Sequence, residues 1–380
     1  MPEQHDDIDE SSASSAGPAI TPELFLFWRS PRFGSANPEP MSNPVWEWLA
    51  RSKLSAYQAN ERMGVPSPFR AGPGWCFERF GQSSTQLADG SRVFIAGEHE
   101  DFYDPDFYIY NDVVVERPSG CIDIFGYPRE IFPPTDFHSA TLVGERIITI
   151  GNLGYEEQRK AGVTPVHILD LRNFAISTVQ TTGTPPGWIH QHEALLSNDG
   201  GSIIVRKGLL DRGKPGESFV ENLDDWRLEL ANWKWQRLTE RRWQRWEVMR
   251  KDGRRIHLWE IGQALWKKEH PEFAQSLDAS RETQADSLKQ ELGCEPDLEL
   301  FERLFRPNLA HEILPATDEN EWRVHRINVA GVVVRYVENA CGIQMTVEGD
   351  LPEFTLERLK QDLLEKMSML ENSPFHLVEL

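Results

Sequence analysis

Short apolar runs of three or four residues alternate with polar turns through the first half of the chain. Runs of this kind are Val93-Phe94-Ile95, Ile147-Ile148-Thr149-Ile150 and Ile203-Ile204-Val205, and a glycine turn precedes each of them. The runs are too short for helices and are rich in β-branched residues, so they predict β-hairpins.

The same pattern recurs at a fixed interval. Segments starting at Ser83, His138 and His192 resemble one another, and the two histidines lie 54 residues apart (192 − 138). A period near 50 residues built from short strands is typical of a propeller with four-stranded blades. Third and fourth strands are predicted at Tyr108–Val115, Val166–Leu171, Trp226–Leu230, Cys121–Phe125, Ala175–Val179 and Trp235–Leu238.

Three phrases in this region resemble kelch repeats. They are Gly-Thr-Pro-Pro-Gly-Trp-Ile-His-Gln-His at 183–192, Phe-Pro-Pro-Thr-Asp-Phe-His-Ser-Ala-Thr-Leu-Val at 132–143 and His-Ile-Leu-Asp-Leu at 167–171. The resemblance covers about residues 74–259 and implies kelch-like propeller blades. The double glycine of the family is degenerate, appearing as Gly97-Glu98, Gly151-Asn152 and Lys207-Gly208.

Only three clear repeats are present, whereas a closed propeller needs at least four blades. A hairpin of Arg245–Met249 and Arg254–Trp259 is predicted to begin a fourth. We therefore expect a mainly β fold, with a kelch-like partial or small β-propeller between an N-terminal helical, proline-rich segment and a C-terminal helical plus α+β module.

The flanks divide by composition. We expect a disordered acidic tail at 1–19, an N-terminal cap with one helix at 20–73, a helical segment at 260–306 and a small α+β module at 307–380. Asn43 and Pro44 fit the start of the cap helix. In the last module, Thr355 is expected to cap a helix with one apolar face, formed by Leu356, Leu359, Leu363, Met367 and Leu370.

Charge and cysteine content restrict the classes of partner. Asp and Glu number 60 against 40 Lys and Arg, which gives a formal net charge of −20. Such a charge opposes binding to nucleic acid and anionic membranes and favours a basic protein partner. The four cysteines form no CxxC, no apolar run approaches a membrane span, and the acidic N-terminus is unlike a signal peptide. These features predict a cytoplasmic protein.

One loop is unusually acidic. No Lys or Arg occurs between Arg92 and Arg117, while seven carboxylates do. The candidate partner-binding residues are Glu98, Glu100, Asp101, Tyr103, Asp104, Asp106 and Tyr108. Oxygen ligands at this density also suit calcium or magnesium, although the spacing is not that of an EF-hand. The alternative is a structured rim loop whose aromatic residues pack inward and whose carboxylates face water or accept backbone hydrogen bonds.

Histidines form a second candidate site. His138 and His192 are equivalent in the repeat, and His190 lies on the same side of an extended strand as His192. With His99 and Asp136, they could converge as ligands of a divalent metal or as acid–base groups. The alternative is structural, because a histidine at this point of a kelch blade commonly satisfies backbone groups between blades.

A third stretch, from Arg227 to Arg255, is basic and rich in tryptophan. It has ten basic and four acidic residues, and six of the 13 tryptophans fall between Trp226 and Trp259. Arginine interleaved with aromatic residues can stack on single-stranded nucleic acid. Tryptophans on strands are more commonly buried against the next blade, and the overall charge argues against a nucleic-acid partner.

Signatures of common reactions are missing: the sequence has no Walker loop, GxGxxG, GxSxG or HExxH. We therefore expect a binding module rather than an enzyme, namely an adaptor that docks a basic protein on the face carrying Glu98–Asp106, with no cofactor. The alternatives are a metal-dependent enzyme using the histidine and carboxylate cluster, and a structural subunit of a larger assembly.

Overall fold

A computed structural model describes residues 20–65, 73–99, 107–213, 219–270, 286–317 and 323–380. The chain divides into two compact units, Met1–Glu240 and Arg241–Leu380. In both units antiparallel sheets predominate and helices are few. The expectation of a mainly β protein is therefore confirmed.

The first unit begins with three short helices and a two-residue strand. These elements are α1 (Pro22–Trp28), β1 (Glu39–Pro40), α2 (Pro44–Ser52) and α3 (Ala56–Arg62). The Asn43 side chain caps α2, because its Oδ1 accepts from the backbone N–H groups of Val45 (3.0 Å) and Trp46 (3.1 Å). The sequence predicted one helix here. The two others have seven residues each and are too short to show a helical period.

Three sheets follow, each built on four antiparallel strands, and we call them blades 1, 2 and 3. Blade 1 contains β2 (Ser83–Gln86), β3 (Arg92–Ile95), β4 (Val113–Glu116) and β5 (Ile122–Gly126). Blade 2 contains β6 (Ser139–Val143), β7 (Arg146–Ile150), β8 (Val166–Asp170) and β9 (Ile176–Thr178). The four strands of blade 3 and four minor strands follow in chain order: β10 (Thr182–Gly183), β11 (Trp188–His190), β12 (Glu193–Leu196), β13 (Ser202–Arg206), β14 (Leu209–Asp211), β15 (Val220–Glu221), β16 (Trp226–Glu229) and β17 (Lys234–Arg237).

Five short strands, β1, β10, β11, β14 and β15, lie outside the three sets of four strands. β1 adds to the outer strand of blade 1, β10 pairs in parallel with β17, and β11, β14 and β15 form a small sheet of their own. Blade 3 proper therefore consists of β12, β13, β16 and β17.

Apolar layers stack the elements of the first unit in chain order. One layer joins the N-terminal helices to blade 1, a second joins blades 1 and 2, and a third joins blades 2 and 3. Strand alternation turns Ile203 and Val205 of β13 towards blade 2, so that Ser202 and Arg206 point the other way, to the free face of blade 3. That free face is largely polar, and the described residues form no closed propeller.

The second unit is built on one six-stranded sheet in the order β19-β20-β21-β22-β18-β23. Its strands are β18 (Gln244–Arg250), β19 (Glu312–Leu314), β20 (Val324–Val329), β21 (Val332–Glu338), β22 (Gly342–Val347) and β23 (Phe375–Glu379). Its helices are α4 (Leu258–Glu269), α5 (Leu298–Glu302) and α6 (Glu353–Leu370), and residues 286–292 are also helical.

The predicted fourth-blade hairpin is wrong. Strand β18 pairs with β22 and β23 of the second unit, and residues 254–257 form no strand before α4 begins at Leu258. The apolar face of α6 is confirmed, since all five predicted residues are buried. Thr355 is not its cap, because the helix already begins at Glu353. Among the described residues, no helix has the length and apolar character needed to cross a membrane.

Candidate partner-binding site

The loops between the second and third strands of the three blades lie at one end of the first unit, which we call the loop face. Their described residues are 96–99, 107–112, 151–165, 207–213 and 219–225. The backbone N–H of Ile109 donates to the Tyr155 hydroxyl (2.9 Å), which links the first loop to the second. Arg159 reaches Asp211 (3.3 Å), which links the second to the third. The loop face is therefore one surface built from all three blades.

The two described ends of the acidic loop belong to this face. Glu98 and Tyr108 are half-buried. The Tyr108 ring stacks on Phe33 (5.7 Å between centroids) and meets Tyr110 edge-on. Burial raises the pKa of the Tyr108 hydroxyl well above its usual value. Glu100, Asp101, Tyr103, Asp104 and Asp106 lie outside the described residues.

Two of the seven carboxylates of this region are already paired within the chain. Asp112 is buried and accepts from Arg79 and from the Trp75 indole N–H (2.8 Å). Glu116 pairs with Lys53. Glu98 is also engaged, by a side-chain hydrogen bond with Asp136, and the remaining four carboxylates lie outside the described residues.

Asp136 lies beside Glu98 at the base of the loop face. It is fully buried, and its Oδ1 accepts from the backbone N–H of Gly154 (2.6 Å). Burial raises the pKa of the Asp136 carboxyl, against the opposing effects of the Gly154 N–H, the Glu98 side chain and Arg159. The sequence predicted that His99 and Asp136 could converge in one site. In the structure the two side chains bond to different groups.

His99 sits in a buried polar network beneath the acidic loop. Its Nδ1 lies 3.2 Å from the Cys76 sulfur and 3.1 Å from the Tyr110 hydroxyl. The Tyr110 hydroxyl in turn donates to the carbonyl of Gly74 (3.1 Å). These contacts tie the start of the loop to the core that joins the N-terminal helices to blade 1.

His138 and His192 make one repeated contact between blades. His138 Nε2 lies 2.8 Å from the Ser83 hydroxyl of blade 1, and His192 Nε2 lies 2.8 Å from the Ser139 hydroxyl of blade 2. Burial lowers the pKa of His138 to about 3 and that of His192 to about 4. Both rings are therefore neutral at pH 7, and each bonds a side chain of the preceding blade.

His190 does not join the other two in a common site. It is buried, its ring meets Phe219 edge-on (4.7 Å), and burial followed by nearby Arg159 lowers its pKa to about 4. Within the described ranges, no group of three or more His, Cys, Asp or Glu side chains is placed to hold a metal ion.

The tryptophan-rich stretch is divided between the two units. Trp226 and Trp235 are buried in the layer between blades 2 and 3, and the Arg237 guanidinium lies 5.7 Å from the Trp226 ring centroid. Arg237 also pairs with Asp224. Trp226 and Trp235 therefore pack against the neighbouring blade, which was the alternative to nucleic-acid stacking.

A groove of about 840 Å³ opens beside the loop face and was missed by the sequence analysis. Apolar parts of its wall include Val163 and Trp188, and Arg129 and Lys160 lie at its margin. It forms where the 151–165 loop approaches the outer strand of blade 2, so no continuous motif marks it.

Comparisons with known proteins add little. No family model and no curated protein matches the chain. Among solved structures, "Structure of YjhT" is 12% identical with a TM-score of 0.29, covering 44% of this chain and 54% of that one. A mutant of Trypanosoma rangeli sialidase displaying trans-sialidase activity is 7% identical with a TM-score of 0.22, covering 90% and 61%. The chain thus spans less than two thirds of either structure, and similarity this low supports no functional argument.

Proposed function

We propose that the three blades are kelch-like repeats and that the chain is a scaffold that docks a basic protein on its loop face. The observation that carries this proposal is the junction of loops from all three blades on one surface, linked through Ile109–Tyr155 and Arg159–Asp211. Loops held by a rigid scaffold are the usual place for binding residues.

Charge selects the kind of partner. The five carboxylates between residues 98 and 106 have no Lys or Arg among them, and the chain as a whole carries a formal charge of −20. A surface of one sign accelerates association with a partner of the opposite sign and disfavours partners of like charge. A basic protein is therefore the partner that fits this surface.

The scaffold can hold such a surface in place. The acidic loop starts at Glu98, whose backbone N–H donates to the carbonyl of Phe80 (2.8 Å), and the next residue, His99, is anchored in the Cys76–Tyr110 network. Tyr108 packs on Phe33 at the other end. Both ends of the loop are thus fixed to blade 1 and its N-terminal cap.

Quantitative affinity capture from the native cell tests the proposal. The neutralised loop variant carries Glu100→Gln, Asp101→Asn, Asp104→Asn and Asp106→Asn. A control variant removes the same number of charges elsewhere, at the exposed residues Glu61, Glu130, Asp350 and Glu353. A basic protein should be recovered with the wild type and the control but lost with the loop variant. Equal recovery with all three proteins contradicts the proposal.

A further inference from the structure

The junctions between blades repeat two contacts, one from the backbone and one from a side chain. Phe137 N–H donates to the Gly81 carbonyl and Gln191 N–H donates to the Phe137 carbonyl, both at 2.9 Å. Gly81, Phe137 and Gln191 all have positive φ, of 64°, 48° and 54°. The residue after each donor is the histidine that bonds a serine of the preceding blade. We call this series of contacts the ladder.

The ladder has an open end at blade 3. The next acceptors in the series are the Gln191 carbonyl and the side chain of Glu193, and both residues are exposed. Among the described residues, no backbone N–H donates to the Gln191 carbonyl. Glu193 takes the place held by Ser83 in blade 1 and Ser139 in blade 2, since each is the first residue of the innermost strand.

The residue paired with this position on the second strand of each blade also differs in blade 3. Ser83 lies opposite Ile95 and Ser139 lies opposite Ile150, whereas Glu193 lies opposite Arg206. In blade 3 the serine and isoleucine of the first two blades are thus replaced by two charged residues, Glu193 and Arg206. The Glu193 carboxylate pairs with Lys207 at the surface, where their side chains are 51% and 73% exposed. An ion pair this exposed contributes little free energy.

Apolar surface adjoins this carboxylate. On the same strand, β12, Leu195 lies on the same face as Glu193 and is 55% exposed, whereas Leu196 lies opposite Ile203 and belongs to the other face. Leu195 lies opposite Ile204 on the free face of blade 3. An apolar centre with charged residues around it is the usual composition of a protein-binding patch.

We propose that the open end of the ladder is a second docking site, which takes an extended segment of a partner protein carrying Lys or Arg opposite Glu193. The segment would donate a backbone N–H to the Gln191 carbonyl and place its next side chain on Glu193, as His138 and His192 do on serine. The segment would thus be held by one backbone hydrogen bond and one ion pair, with the cation supplying selectivity. It goes beyond docking on the loop face and uses different residues.

A second copy of the chain is a poor occupant. Its own His138 and His192 are already bonded to Ser83 and Ser139. At its first blade the equivalent position is Gln82, whose amide donates to the carbonyls of Phe77 and Ala96. The outward face of blade 1 is covered by the N-terminal helices. Among the described residues, a second copy therefore has no donor pair of this kind left to bond to Gln191 and Glu193.

Two capped synthetic peptides test the proposal on the full chain at pH 7.5. One has the sequence of residues 135–145, which makes the ladder contacts with blade 1, and the other carries His138→Lys. Wild-type protein should bind the lysine peptide about two- to fivefold more tightly than the histidine peptide. In the Glu193→Ser variant the preference should reverse, and Glu145→Ser, at an exposed hairpin turn, should leave both dissociation constants unchanged.

Hydrogen exchange locates the site and separates the outcomes. The lysine peptide should slow amide exchange in residues 191–196 and leave residues 139–143 unaffected. The proposal is overturned if neither peptide binds, if protection falls outside β12, or if Glu193→Ser does not change the preference. A dimer in solution that Glu193→Lys dissociates would assign the edge to a second copy and would equally overturn it.

Discussion

The imidazole Nε2 of His192 lies 2.8 Å from the hydroxyl of Ser139, across the junction of blades 2 and 3. The same distance joins His138 to Ser83 at the junction before it. One nitrogen of each ring is therefore engaged between blades, in a buried setting that keeps the ring neutral. These two histidines therefore contribute to the packing between neighbouring blades.

A double-mutant cycle measures this link. We expect His192→Ala and Ser139→Ala to couple by about 1 kcal/mol in the free energy of unfolding of the first unit, because each change removes the same hydrogen bond. Urea unfolding of the two single variants and the double variant supplies the value. His192→Ala combined with Ser84→Ala is the control, since exposed Ser84 lies in blade 1, and it should be additive. Additivity for His192 and Ser139 would mean that the contact contributes nothing.

The buried histidines predict an acid-sensitive first unit. Burial lowers the pKa of His138 to about 3 and those of His167, His190 and His192 to about 4, against 6.5 in the unfolded chain. Between these values the unfolded state binds more protons, so the unfolding free energy is fully present above about pH 6.5 and falls as the pH decreases. Each histidine contributes a slope of up to about 1.4 kcal/mol per pH unit.

Urea titrations between pH 7.5 and 5 check this slope. In the His167→Gln variant the unfolding free energy should change less steeply with pH, by the contribution of one histidine. His167 is buried, and burial is the cause of its lowered pKa. Unfolding free energies that do not change over this range would show that the rings are charged or solvated in the folded protein.

Gly151 should tolerate no side chain. Its φ is +74°, and a Cβ there would lie 2.3 Å from the backbone carbonyl oxygen of Ile189 and 2.7 Å from Cε1 of His192, both at the junction of blades 2 and 3. Gly200 is the matched control, with φ of +69° and nothing within 4 Å of its Cβ position. Gly200→Ala should cost about 1 kcal/mol for the left-handed backbone, and Gly151→Ala at least about 2 kcal/mol more for the clash. Equal losses in thermal or urea unfolding would contradict the close packing at this junction.

The N-terminal cap depends on a stacked pair. Trp46 and Trp75 lie 5.3 Å apart at an interplanar angle of 8°, and both are buried. Trp46→Ala should destabilise the first unit by about 3–5 kcal/mol. Trp48→Ala, on the same helix but only half-buried, should cost clearly less. Similar losses in urea unfolding would show that the cap does not pack on blade 1 through Trp46.

The sequence predicted elements whose pattern is local. The hairpin around Gly144, the Asn43 cap and the apolar face of α6 all depend on residues close together in the chain, and all three are confirmed. Strand β18 shows the limit of this reasoning. Its alternating residues predict a strand correctly, but pairing with β23, more than a hundred residues later, has no local signal.

The site was predicted less completely for the same reason. The equivalence of His138 and His192 is visible in the repeat, yet their serine partners lie about 55 residues earlier and only the fold brings them together. Asp112 and Glu116 counted as free carboxylates in the sequence, although Arg79 and Lys53 pair with them. The acidic loop remains a prediction at Glu100, Asp101, Tyr103, Asp104 and Asp106.

The dissociation constant of the captured basic partner tests the central claim most directly. It should be measured by calorimetry for the wild type, the neutralised loop variant and the charge-matched control, at low and at physiological salt. We predict at least a tenfold weaker complex, about 1.4 kcal/mol, for the loop variant alone, and a wild-type affinity that falls as salt rises. Equal constants for the three proteins, independent of salt, would contradict docking on the loop face.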